Sequence, residues 1–348
     1  MGDPMEKLVY PGREGISILD VARELRSVLK GEGTGNRSLT LSGKRVAVIL
    51  LDGLGYELAV RAGLTQAERI TTVFPSITVT VLTTLFTGEP PGVHGVHGWR
   101  VYDKLVGSVV NYLDEQPKRS LAELVRPVTS YVPEDSLFLS PSKYVNRNLF
   151  SGMLVNGKFL QYYTPWDGWL LASEVAEKYR PKFLFLYVPY VDTVSHHYGP
   201  DSPATLDAAR DVVRMTNRLA DELSKHYSVV ITSDHGHVKV DGLVDLAKDE
   251  ELLETLHLPP FGDHRNLMIL GKGEAKKILE GYGLRVYDRD EAKALMLGER
   301  VPDYVAVPTD NRIYQYWPDE DQREYRGTHG GLSPEEMYIP LVVREPEP

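Results

Sequence analysis

Asp and His recur in this 348-residue chain at the ends of apolar runs. Asp52 follows VAVILL, Asp234 and His235 follow YSVVITS, and His329 sits in GTHGG. Asp192 and His196 lie four apart in YVDTVSHHYGPDS. These side chains offer oxygen and nitrogen donors, which divalent cations take where no thiolate is present. An Asp and a His at i and i+4 share one helix face and can grip one ion. Adjacent residues such as Asp234 and His235 point differently and meet at one ion only in a turn. Singly, each has an ordinary alternative: a helix-capping Asp, a turn, a loop His. Jointly they say more. Three carboxylates stand at the carboxyl ends of three apparent central strands, the edge where open α/β sheets bind ligands. Two cations fit this inventory of six ligands. The stretch VFPSITVTVLTTLFTG (Val73 to Gly88) is rich in Ser and Thr and offers hydroxyl nucleophiles, Thr78 among them.

The elements that must position these residues are legible in part. Arg45 to Leu51, Lys182 to Tyr190 and Tyr227 to Thr232 are continuous apolar runs of strand length, as central parallel strands buried on both faces require. Residues 16 to 30 predict an amphipathic helix with Ser17 as cap and Ile18, Val21, Ala22, Leu25, Val28 and Leu29 on one face. Ser202-Pro203 opens a long helix with a stripe from Leu206 to Leu223. Strand, helix, strand with right-handed crossovers gives a doubly wound parallel sheet. A short helix is expected at Leu121 to Val125 and a short strand at Ser136 to Ser140. The texture changes over residues 256–324, read as a small α/β cap inserted in a main domain of residues 1–255 plus 325–348. Ile339 to Val343 returns to the sheet. TVTVLTTLF after Ile77 is rich in β-branched residues, and propensity alone makes it a strand.

Composition narrows the function. The formal net charge of −10 excludes a broad electrostatic partnership with nucleic acid. With no cysteine there is no disulfide and no thiolate metal site. The N-terminal MGDPMEKLVYPGREG lacks a signal-peptide core, and no apolar run reaches the roughly 18 residues needed to span a bilayer. A soluble, cytoplasmic protein without a membrane partner is expected. Oligomeric state is left open.

Taken in order, VILLDG, FPSIT through Thr87-Gly88, PPGVHG, DTVSHHYGP, SDHG and THGG resemble the alkaline phosphatase superfamily, and most closely its type I phosphodiesterase/nucleotide pyrophosphatase branch. The resemblance covers residues 46 to 330. It implies an alkaline-phosphatase-like α/β fold, a mostly parallel sheet flanked by helices. It also implies two divalent cations roughly 4 Å apart, Zn2+ with Mn2+ or Mg2+ as alternatives. One cation falls to Asp192, His196 and His329, the other to Asp52, Asp234, His235 and the nucleophile. The family's nucleophile stands nine residues before the Thr of the TG pair, which selects Thr78 and places a helix start there. Ser76, Thr80 and Thr83 are its rivals. The implied activity is hydrolysis of phosphodiester or pyrophosphate bonds in a small-molecule phosphoester, a nucleotide among the candidates, through a phospho-threonine. A phosphomonoesterase, a phosphonoacetate-type hydrolase and a metal-stabilised binding module are the alternatives.

The chain departs from the pattern at Trp99, which occupies the place of an Asn that binds the phosphoryl oxygen in nucleotide pyrophosphatases. The Thr78 amide, Lys143, Arg147 or Arg100 are the expected substitutes. His94 and His97 are expected to be structural, and His237 to flank the metals. His264 and Arg265 are candidates for substrate contact, and Gln161 to Trp169 for aromatic packing.

Overall fold

The structure, a computed structural model, describes residues 8–32, 39–112, 120–145, 155–317 and 324–346. A seven-stranded sheet runs in the order β2 (Glu68–Thr71), β17 (Tyr338–Arg344), β8 (Ser228–Thr232), β1 (Val46–Leu51), β7 (Phe183–Val188), β5 (Ser136–Pro141) and β6 (Lys158–Tyr162). All pairs are parallel except those of β17, which runs antiparallel to β8 and β2. The three apolar runs are therefore neighbours at the centre. Every residue of β1, β7 and β8 is buried.

Alternation along β1 divides the core. Val46, Val48 and Leu50 pack with the helices Ile18–Lys30 and Thr78–Thr87 on one face. Ala47, Ile49 and Leu51 pack with Pro165–Tyr179 and Pro203–Leu223 on the other. This period of two is the pleat. At about 1.5–3 kcal/mol for each large apolar side chain buried, it fixes the strand's register and so the level of Asp52.

TVTVLTTLFT folds as the helix Thr78–Thr87, against its strand propensity. All ten residues are buried, so tertiary packing overrides the local preference. Thr83 and Thr87 donate their hydroxyls back to the carbonyls of Val79 and Thr83, at 2.6 and 2.7 Å, which satisfies them inside the core. Gly88, left-handed at φ 72°, ends the helix.

A second, antiparallel sheet of six strands has the order β13 (Leu284–Asp288), β14 (Tyr304–Pro308), β12 (Asn266–Ile269), β11 (Phe261–Asp263), β3 (Arg100–Asp103) and β4 (Ser108–Asn111). It is thus not confined to residues 256–324: β3 and β4 come from the segment that follows the Thr78 helix. Two short pairs complete the strands, β9 (Val238–Lys239) with β16 (Gly327–Thr328) and β10 (Gly242–Asp245) with β15 (Arg312–Gln315). No helix among the described residues is long and apolar enough to cross a membrane.

Candidate active site

β1, β7 and β8 end side by side, and the chain leaves each with a carboxylate. Asp52 follows β1, Asp234 follows β8, and Asp192 lies in the first turn of the helix Tyr190–Tyr198 after β7. Backbone bonds lock the three together. Asp52 N donates to Val188 O at 2.9 Å, Asp192 N to Asp52 O at 3.0 Å, and Gly53 N to Asp234 Oδ1 at 3.1 Å.

Two groups of ligand-type atoms result. In the first, His235 Nε2 lies 3.3 Å from Asp52 Oδ1 and 3.4 Å from Asp234 Oδ2. In the second, Asp192 Oδ1 lies 3.2 Å from His196 Nε2 and 3.7 Å from His329 Nε2. The rings of His235 and His329 stack at 3.5 Å, so the groups adjoin. The structure therefore brings together all six Asp and His residues singled out by the sequence. Thr78, first residue of its helix, puts Oγ1 3.2 Å from His235 Nε2. Two of its rivals do other things. Ser76 donates to Gly331 O at 2.9 Å and accepts from Gly330 N at 3.1 Å, holding the GTHGG turn. Thr83 is turned back on its own helix.

The donor set fits cations. His196, His235 and His329 each direct Nδ1 to a backbone carbonyl, of Gly327, Gly236 and Ser76, at 2.8, 3.1 and 2.9 Å. A carbonyl only accepts, so Nδ1 carries the proton and the Nε2 lone pair faces the carboxylates. Lone pairs facing lone pairs repel unless a cation or proton lies between. Asp52 Oδ1, Asp192 Oδ1 and Asp234 Oδ2 are buried without a hydrogen-bond partner among the described residues. Burial, with Asp192 nearby, pushes the Asp52 carboxyl up to about 8. Burial and the Asp52 charge do the same to Asp234, also to about 8. Divalent cations would relieve both.

Two surrounding residues approach the site more closely than the sequence indicates. Tyr187, the last but one residue of β7, donates its hydroxyl to Asp52 Oδ2. His237 brings Nε2 within 3.2 Å of Asp192 Oδ1, closer than a flanking position requires. The signal available was the polar tip of Tyr187 at a strand end and the last residue of the DHGH run, His237.

Arg265, a candidate for substrate contact, is instead spent on the fold. It is fully buried and pairs through Nε and Nη2 with both oxygens of Glu336, at 2.7 and 2.9 Å. Its Nη1 donates to the carbonyls of Asp310 and Arg312. His264 lies between Asp263 and the hydroxyl of Thr328. His94 accepts from Val96 N and pairs with Thr84, a structural role. Arg100 places its guanidinium 5.0 Å over the Trp317 ring. Arg147 and the side chain of Lys143 lie outside the described residues. In the 161–169 cluster, Tyr162 and Trp169 are buried packing residues, and Thr164 caps the helix Pro165–Tyr179.

Solved structures share this architecture. Murine ectonucleotide pyrophosphatase/phosphodiesterase 5 superposes with a TM-score of 0.68 at 20% identity, over 87% of this chain and 88% of that one. An inactive threonine-to-alanine form of it in complex with AMP gives 0.67 at 20% over the same shares. Phosphonoacetate hydrolase from Sinorhizobium meliloti 1021, in complex with phosphonoformate, gives 0.63 at 18% over 87% and 90%. What these structures share with the chain is the fold, a mostly parallel α/β sheet flanked by helices. The type I phosphodiesterase/nucleotide pyrophosphatase model matches residues 46–332, and the chain belongs to that family. An uncharacterized pyrophosphatase/phosphodiesterase of Schizosaccharomyces pombe is 26% identical over 234 residues, 59% of this chain. The chain spans about half the length of that curated relative, 47%.

Proposed function

We propose that this protein hydrolyses phosphodiester or pyrophosphate bonds of small molecules through a covalent intermediate on Thr78, beside two divalent cations, Zn2+ in the first instance. The observation that carries this reading is the Thr78 hydroxyl at 3.2 Å from His235, in one of two adjoining Asp/His groups, in a chain of this family. Bound cations supply Lewis-acid stabilisation of the entering and leaving oxygens. Asp52, Asp234 and His235 would hold the cation next to Thr78; Asp192, His196 and His329 would hold the other. Thr78 Oγ1 attacks phosphorus, the Thr–O–P bond forms, the bond to the leaving oxygen breaks, and the proton lost by the hydroxyl passes through solvent to the leaving oxygen. The amino end of the Thr78 helix directs its dipole and amides at the phosphoryl oxygens. Water then cleaves the phospho-threonine and returns the hydroxyl. That a threonine-to-alanine form of the murine neighbour is inactive supports a threonine in this role.

Thr78→Ala is expected to lower turnover by a factor on the order of 10^4 or more while both cations stay bound. Rates on bis-p-nitrophenyl phosphate, p-nitrophenyl phosphate and phosphonoacetate, with metal analysis of each variant, decide the matter. Full activity of Thr78→Ala, or turnover of phosphonoacetate alone, would displace the reading.

A further inference from the structure

His237 has the same preparation as the three histidines just described. Its Nδ1 faces the carbonyl of Gly53 at 3.3 Å, so the proton sits there and the Nε2 lone pair turns inward. That Nε2 is buried with no hydrogen-bond partner among the described residues, and it lies 3.2 Å from Asp192 Oδ1, itself lacking one. Three imidazole nitrogens therefore surround one carboxylate oxygen at 3.2, 3.2 and 3.7 Å. The four ligand atoms all lie within 4.8 Å of one another. A tetrahedral zinc with bonds of about 2.0–2.1 Å separates its ligand atoms by roughly 3.3 Å. The separations from Asp192 Oδ1 lie close to that value, and the four atoms are near enough together to converge on one ion.

The backbone is shaped for this approach. Gly53 is left-handed at φ +75°, and a Cβ there would lie 2.7 Å from both His237 Cε1 and Asp192 Cα. Only glycine lets the imidazole come this close. Behind it opens a cleft of about 380 Å3, lined by Tyr56, Arg61, Arg69 and Lys239 among others. The His237 ring is one wall of that cleft.

We propose that His237 is a fourth protein ligand of the Asp192 cation, which is thus held by one carboxylate and three imidazoles. This rests on the two-cation reading above. The Asp52 ion counts the reacting Thr78 hydroxyl among its four donors, whereas the Asp192 ion has four donors that take no part in bond making, and a substrate oxygen reaches it only as a fifth ligand.

The test uses the full chain loaded with Zn2+ or Co2+. Stoichiometry and affinity are measured by chelator competition, and Co2+ coordination by visible absorption. In His237→Ala and His237→Gln, one of two sites should weaken by more than about 100-fold, beyond the roughly 10–100-fold cost of a lost supporting hydrogen bond. The intense tetrahedral Co2+ bands should fade with it. The glutamine variant keeps a donor for Asp192 and guards against a misfolded alanine variant. If glutamine preserves both affinity and spectrum, His237 merely donates to Asp192 and the proposal is overturned. A wild-type chain that binds fewer than two cations would instead sink the underlying two-cation reading, and with it this one.

Discussion

Thr78 and Ser76 are two residues apart, and their hydroxyls have opposite fates. Ser76 is consumed by the backbone of Gly330 and Gly331, while Thr78 faces His235. Residue type and local pattern could not separate them, and only the family spacing favoured Thr78, because the difference lies in which turn packs behind each. The metal-type residues were legible for a simple reason: an acidic residue directly after a buried strand must emerge at the sheet's carboxyl edge. His237 was less so, since its approach depends on the missing side chain of Gly53, nearly two hundred positions away. The charges of these residues give a pH-linked expectation. Asp52 and Asp234 sit at about 8, above their ordinary range. Burial pulls His196 down, but the Asp192 carboxylate outweighs it and holds it at about 9. All three groups therefore carry protons in the cation-free protein near neutrality. Cation binding must expel them. Calorimetric titration with Zn2+ at pH 7, in buffers of different ionisation enthalpy, should show release of about two to three protons per chain. Heats independent of buffer would contradict this electrostatic picture.

At the scale of elements, the three central strands could be read from the chain because each is buried on both faces and so is apolar throughout. The Thr78 helix could not be read from propensity. Its ten residues favour a strand, and only burial and back-bonded threonines hold them helical. Nor did local pattern reveal that β3 and β4 join the second sheet, since long-range pairing leaves no periodic trace. The Arg265–Glu336 pair is the clasp between that sheet and the His329 turn, for Glu336 also accepts from Gly331 N at 2.9 Å. Arg265→Ala strands a buried carboxylate and should destabilise the fold by about 3–5 kcal/mol in urea denaturation. Arg265→Met with Glu336→Gln, which removes both charges, should lose less. Equal losses would show that packing rather than charge dominates.

Over the whole molecule, the candidate ligands tie together β1, β7, β8 and the turn after β16. An ion that binds only the folded form stabilises it by mass action, about 2.7 kcal/mol at one hundred times Kd. Thermal unfolding of chelated protein should therefore shift upward on adding Zn2+, with the shift growing with free zinc. An unchanged melting temperature up to saturating zinc would mean that the site does not bridge these elements.

The His329 turn also has a bearing on biosynthesis. Asp192, His196 and His237 leave the ribosome well before position 329, so in a growing chain this group lacks its fourth member. The ring stack of His235 on His329 is likewise missing until then. The two Asp/His groups are thus completed only when His329 has emerged, shortly before β17, the last strand of the seven-stranded sheet.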